Sequence, residues 1–140
     1  MEVNDVTGQI IDAAIKVHST LGPGLLESAY EACLAHELRK RGIRVETQVT
    51  LPIEYDGIRL DAGYRIDLLV EGVVIVELKS VEKMNPIFEA QILSYLKLSH
   101  LHVGLLINFN VLHLKDGLKR SVHQYSGPPP RSPASSAVNS

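Results

Sequence analysis

Three charged side chains lie inside residues 64–79, YRIDLLVEGVVIVELK, a stretch that otherwise reads as two apolar strands joined at Gly72. They are Asp67, Glu77 and Lys79. A charge within a sheet is costly unless it is paired or binds a metal. Two readings follow: an ion pair at a sheet edge, or a site for a hard divalent cation. Carboxylate oxygens favour Mg2+ or Mn2+ over softer metals. Such an ion neutralises a phosphodiester, lowers the pKa of bound water and stabilises the leaving oxygen. On that reading Asp67 and Glu77 are metal ligands, with the Leu78 backbone carbonyl as a third. Lys79 holds and polarises the attacking water.

Strand register decides whether these residues meet. Side chains alternate faces, so Glu77 and Lys79 point the same way. A two-residue loop at Glu71-Gly72 would pair Val70 with Val73 and set Asp67 opposite Val76, on the wrong face. A three-residue loop over Val70, Glu71 and Gly72 pairs Leu69 with Val73 instead, with Gly72 left-handed in a bulge. Asp67 then faces Ile75 and lies diagonal to Glu77, about 7–8 Å away between α-carbons. The catalytic reading requires the odd loop.

The surrounding elements follow from periodicity and punctuation. Ile10, Ala14, Val17 and Leu21 mark a first helix over residues 5–20, capped by Asn4 or Asp5. Gly22-Pro23-Gly24 ends it. A second helix spans residues 25–41, with Leu26, Ala29, Tyr30, Cys33, Leu34 and Leu38 buried and Gly42 as its stop. A strand lies within residues 43–55, and Asp56-Gly57 signals a hairpin turn. Strands over 58–70 and 73–80 follow, the latter central because it is continuously apolar before its charges. Asn85 caps a third helix that starts at Pro86 and runs to Ser99. Residues 103–109 form a strand parallel to a central one. Residues 110–125 suggest a short strand pair around Asp116-Gly117. This order gives an α/β sandwich, a central mixed sheet flanked by helices. Residues 1–126 form one domain, and the Pro/Ser-rich residues 127–140 read as a disordered tail.

Further polar residues fall near these elements. Gln91 and Tyr95 share a helical stripe with Ile87 and Leu98, which should face the sheet. They are either hydrogen-bonded core groups or partners that orient Lys79 or a phosphate. His18 is a buried, hydrogen-bonded histidine or a substrate contact. Glu27 either complements the dipole of the second helix or joins the site.

Composition sets limits. The single cysteine, Cys33, rules out an intrachain disulfide and points to a reduced, cytoplasmic setting. No leader and no membrane-length apolar run is evident. The net charge of −2 gives no global attraction to nucleic acid. A local patch at Arg39, Lys40, Arg41 and Arg44, or near Lys79, Lys83 and Lys97, could still supply phosphate contacts.

Asp67, then Glu77-Leu78-Lys79, then Gln91 and Tyr95 resemble the PD-(D/E)xK nuclease superfamily. Within it, Gly24-Leu25-Leu26-Glu27-Ser28-Ala29-Tyr30 is similar to the motif of the GxxExxY family. The resemblance runs from Val6 to His123. It implies a restriction-endonuclease-like αβββαβ core with an extra N-terminal helix and a Mg2+ or Mn2+ site. Asp67 and Glu77 would be metal ligands and Lys79 the catalytic lysine. Glu27 would be the helix-borne acid, reaching the metal directly or through water. Gln91 and Tyr95 resemble the QxxxY pattern of exonuclease-like members. Phe88 departs from the His often found in related sequences, and Ile66 from the usual Pro before the aspartate.

The expectation is therefore a metal-dependent nuclease acting on nucleic acid, DNA in preference to RNA. A non-catalytic binding module on the same fold is the alternative, and a hydrolase of small phosphorylated molecules is a third class. A homodimer would suit double-strand cutting, but no sequence feature marks an interface.

Overall fold

The computed structural model describes residues 1–129. Helices α1 (Val3–Leu21) and α2 (Glu27–Lys40) precede strand β1 (Val45–Thr50). A small hairpin of β2 (Ile53–Tyr55) and β3 (Ile58–Leu60) follows, then β4 (Arg65–Val70) and β5 (Val74–Lys79). Helix α3 (Pro86–Ser99), β6 (Val103–Asn108) and β7 (Leu118–Val122) complete the order. The main sheet runs β1-β4-β5-β6-β7, and β2-β3 forms its own two-stranded sheet. Neighbours are antiparallel except β5 and β6, which are parallel because α3 carries the chain back across the sheet.

Each face of the sheet has its own apolar layer. Ile10, Ala14 and Val17 of α1, with Tyr30, Leu34 and Leu38 of α2, pack on Leu68, Val76, Leu78 and Leu105. Ile92, Tyr95 and Leu96 of α3 pack on Ile66 and Ile75 on the other side. The expected mixed sheet between helical layers is present. β5 is central, and every side chain from Val74 to Leu78 is buried.

Several local expectations give way to tertiary effects. The strand expected over 58–70 is interrupted, and β3 and β4 belong to different sheets. Asp56 and Gly57 do form the hairpin turn, both with positive φ. Helix α1 starts earlier than expected, with Glu2 at its N-cap. Asn4 does not cap it: its amide donates to the Pro128 and Pro129 carbonyls. Leu21 and Leu26 are exposed because the chain turns away from the core at Gly22. Ala29 and Cys33 are only half-buried. Asp116-Gly117 ends a 3-10 turn (Leu114–Gly117) and does not join two strands. Gly127–Pro129 have no regular structure, and the rest of the expected tail lies outside the described residues.

The α3 start is as expected: Asn85 Oδ1 accepts the Ile87 N–H at 3.0 Å, with Pro86 in the first turn. The stripe of Ile87, Gln91, Tyr95 and Leu98 is displaced from its expected place. The buried face of α3 is Ile92, Tyr95 and Leu96, and Ile87 is 61% exposed.

Gly117 lies where no side chain fits. A β-carbon there would overlap the Asn108 carbonyl oxygen and press on Val111. Asn108 is buried and anchors the segment after β5: its Oδ1 accepts from Val81 N and its Nδ2 donates to Val81 O. Gly117→Ala is expected to lower stability by about 1–3 kcal/mol, the usual cost of overpacking. Denaturant unfolding of the variant beside the wild type checks this.

Candidate active site

The odd loop exists, one residue later than expected. Val70 pairs with Val74, so Glu71, Gly72 and Val73 lie between the strands. Glu71 and Gly72 both have positive φ, and Val73 N donates to Val70 O at 3.0 Å. This is a type I′ turn with Val73 as the additional residue. The shift corrects the expected pairing. Leu69 faces Ile75 and Leu68 faces Val76, so Asp67 comes level with Glu77 instead of lying diagonal to it.

The β4–β5 backbone ladder stops at Leu68 and Val76, while β5 stays paired with β6 through Lys79. Beyond that point the two carboxylates replace the ladder. Asp67 N donates to Glu77 Oε2 at 2.9 Å, and Leu78 N donates to Asp67 Oδ2 at 2.8 Å. Each acid satisfies a backbone donor of the other strand.

Edge strand β1 contributes a residue the sequence reading missed. Gln48 lies level with Asp67 and has φ of 52°. A left-handed non-glycine residue within a strand is unusual. Its Nε2 donates to Glu31 Oε1 at 2.6 Å and to Asp67 Oδ1 at 3.3 Å. Burial reverses sides across this step. Leu68 belongs to the α1/α2 layer but Ile66 to the α3 layer, and Val45 and Val49 divide likewise. The twist turns the ends of β1 and β4 so that an amide on β1 spans from α2 to the acid pair.

Glu31 is the second missed residue. It lies one helical turn after Glu27, on the same face of α2, and that spacing was available in the sequence. Glu27 itself is the exposed first residue of α2. The preceding loop is fixed in place. Tyr30 Oη donates to Gly22 O at 2.6 Å and accepts from Leu25 N at 3.1 Å. Ser80 Oγ donates to Leu25 O at 2.6 Å, tying that loop to the end of β5. Tyr30 also stacks on Phe109, with centroids 4.4 Å apart.

On the α3 side, Lys79 places Nζ 4.3 Å from the Phe88 ring centroid, a cation–π contact. Gln91 Nε2 donates to Tyr95 Oη at 3.1 Å, so these two residues partner each other beside Lys79. His18 is not brought to this group. It is buried, with Nε2 2.7 Å from the Val111 carbonyl.

The acids perturb one another. Burial, then the Asp67 charge, pushes the Glu77 carboxyl up to about 8, and Lys79 offsets only part of this. Glu31 is raised by burial and by Asp67, against the lowering effect of the Gln48 amide. Tyr95 is raised by burial and then by the charges of Glu77 and Asp67. An additional cation would relieve this negative field. The donors are hard oxygens suited to Mg2+ or Mn2+, so the acid pair fits such an ion. Among the described residues, no three His, Cys, Asp or Glu side chains form a ready-made cluster for it.

Two acids pair part of the basic cluster at the C-terminal end of α2. Arg41 pairs with Asp12 at 2.7 Å and Glu37 at 3.1 Å, and Lys16 and Lys40 also contact Glu37. Arg39 donates to the Val45 carbonyl. Arg41 is thus absorbed into helix packing, while Arg39, Lys40 and Arg44 are exposed.

The family model of the PD-(D/E)XK nuclease superfamily matches residues 4–121. The chain belongs to that superfamily. Its α/β architecture is consistent with the restriction-endonuclease-like fold, and a superfamily nuclease domain suggests hydrolysis of nucleic acid, generally with divalent metal ions. No curated protein and no solved structure matches the chain. Among the described residues, no helix is long and apolar enough to cross a membrane.

The raised Glu77 pKa fixes the sign of a pH effect in metal-free protein. The folded state holds the Glu77 proton up to pH about 8, and the unfolded chain releases it near 4.5. Between these values the folded state binds more protons. This contribution to stability is therefore fully present below pH 4.5 and declines toward pH 8, by at most about 1.4 kcal/mol per unit. Glu77→Gln keeps an acceptor for Asp67 N and cannot ionise. Urea unfolding in EDTA from pH 5 to 8 is expected to show a steeper loss for wild type than for this variant.

Proposed function

We propose that this protein is a divalent-metal-dependent nuclease of the GxxExxY type, hydrolysing phosphodiesters in DNA in preference to RNA. The observation that carries this reading is the β4–β5 fork. Asp67 and Glu77 meet there level with each other, and Lys79 stands two residues on, toward α3.

In this reading Asp67 and Glu77 hold Mg2+ or Mn2+, with the Leu78 carbonyl as a third oxygen and Glu27 contributing through water. The ion, when bound, supplies charge neutralisation and an acidified water. Lys79 holds the phosphate or the attacking water from the α3 side. The hydrogen-bonded Gln91–Tyr95 pair orients that end of the site. Gln48 and Glu31 fix the Asp67 carboxylate from the opposite edge. The catalytic domain is residues 1–126.

A binding module without catalysis is the second reading. The observation favouring it is the net charge of −2, which gives no global attraction to a polyanionic substrate.

The test is incubation of labelled single- and double-stranded DNA and RNA with Mg2+, Mn2+ or EDTA. Cleavage is expected with either metal and not with EDTA. Lys79→Ala and Asp67→Asn are each expected to lower the rate by about 10²–10⁴, the range for a positioned catalytic group. Asp67→Asn retains an acceptor for Leu78 N, so a preserved melting temperature would separate lost chemistry from lost fold. If the metals leave both activity and melting unchanged, the binding-module reading replaces this one.

The edge-strand support gives a second test. Gln48→Ala removes the bridge between Glu31 and Asp67, and its expected effect is a higher metal concentration for half-maximal cleavage. An unchanged metal dependence would show that the bridge serves the fold alone.

A further inference from the structure

Lys79 also lines a cavity of about 480 Å³ between α3 and the base of the β2–β3 hairpin. Its walls are mainly Tyr64, Phe88, Tyr95, Ile53, Ile87 and Leu98, with Gln91 and Ser94 as polar groups. Tyr64 and Tyr95 meet edge to face, with centroids 6.1 Å apart. Lys79 supplies the only cation of this lining. One positive charge beside an apolar, aromatic volume is a poor match to a duplex, whose outer surface is continuous phosphate. It matches a group that is anionic at one end and flat and uncharged at the other. The volume lies in the range of small-ligand sites, about 300–1,000 Å³.

The hairpin extends this surface outward. Ile53 pairs with Leu60, and Tyr55 with Ile58, so all four side chains share one face. Ile53 lies in the cavity wall, while Tyr55, Ile58 and Leu60 are 74%, 55% and 51% exposed. Glu54 and Arg59 pair with each other on the opposite face. The apolar face thus runs on from the Lys79 cavity.

We propose that this cavity and hairpin face bind the unpaired bases of single-stranded nucleic acid, next to the phosphate held at Lys79. The inference rests on the nuclease reading and names its substrate class. A paired base is stacked inside the duplex and cannot reach Phe88 or Tyr64 unless it is flipped out, which costs a few kcal/mol. A single strand presents its bases freely, and base–aromatic stacking tolerates any sequence. Lys79 over the Phe88 ring couples the two halves of the surface: one side chain takes the phosphate, and its neighbour takes the base.

The test compares three labelled probes at one salt concentration in Ca2+: a single DNA strand, the same sequence as a blunt duplex, and a base-free tetrahydrofuran phosphodiester strand of equal length. The expected result is binding of the single strand at least tenfold tighter than either other probe. Phe88→Ala and Tyr64→Ala should each weaken single-strand binding about tenfold or more, the loss of one stack. Tyr64→Ala should leave binding of the base-free strand unchanged, and Phe88→Trp should restore affinity. Equal binding of duplex or base-free strand would overturn the inference and leave the nuclease reading standing. Equal weakening of all three probes by Phe88→Ala would also overturn it, because Phe88 would then act only by seating Lys79. If no probe is bound or cut with any metal, the nuclease reading fails first and this inference with it.

Discussion

The rest of the structure depends on the fork between β4 and β5, where a pair of carboxylates takes over from a backbone ladder. Past Leu68 and Val76 the two strands no longer bond backbone to backbone, yet the sheet there is buried. The N–H groups of Asp67 and Leu78 would be left unsatisfied, at about 1–3 kcal/mol each. Glu77 and Asp67 accept them across the gap. The bonds that close the sheet therefore also hold two acids together against their repulsion. Burial first, and then this repulsion, raises the Glu77 carboxyl. The same interaction satisfies the backbone and assembles a negative site suited to a cation.

Each surrounding element limits the movement of this fork. β6 holds β5 along its whole length, and Asn108 at its end fixes the chain just after Lys79. On the α2 side, Tyr30 and Ser80 pin the loop before Glu27, and Gln48 bridges Glu31 to Asp67. On the α3 side, Phe88 seats the Lys79 ammonium. Glu77 and Lys79 thus share the Ile75 face of β5, toward α3, while Gln48 and Glu31 reach Asp67 from the β1 edge.

Much of this was legible in the sequence. Apolar periodicity placed the three helices, the Asn85-Pro86 start of α3 and the buried central strand. An intervening helix made β5 and β6 parallel. Parity alone required an odd loop at Gly72 if Asp67 and Glu77 were to share a site, and the chain has one. The motif residues carried the superfamily resemblance over nearly the span that the family model matches. These features are local, because they follow from side-chain spacing and turn chemistry within a few residues.

Tertiary structure decided the remainder. The loop slid by one residue, because Gly72 permits a left-handed step but does not fix which neighbour shares it; Glu71 took the second positive φ. Nothing in sequence marks Gln48 as left-handed, since that conformation is imposed by the twist of β1 against β4. Glu31 gained its contact only through that twist. Arg41 became structural because α1 brought Asp12 beside it and Glu37 lies one turn back on α2. The sequence by itself determined which residues could do the chemistry and that Asp67 and Glu77 could share a face. The tertiary structure decided what stands around them, because strand twist and helix packing set contacts between residues far apart in the chain.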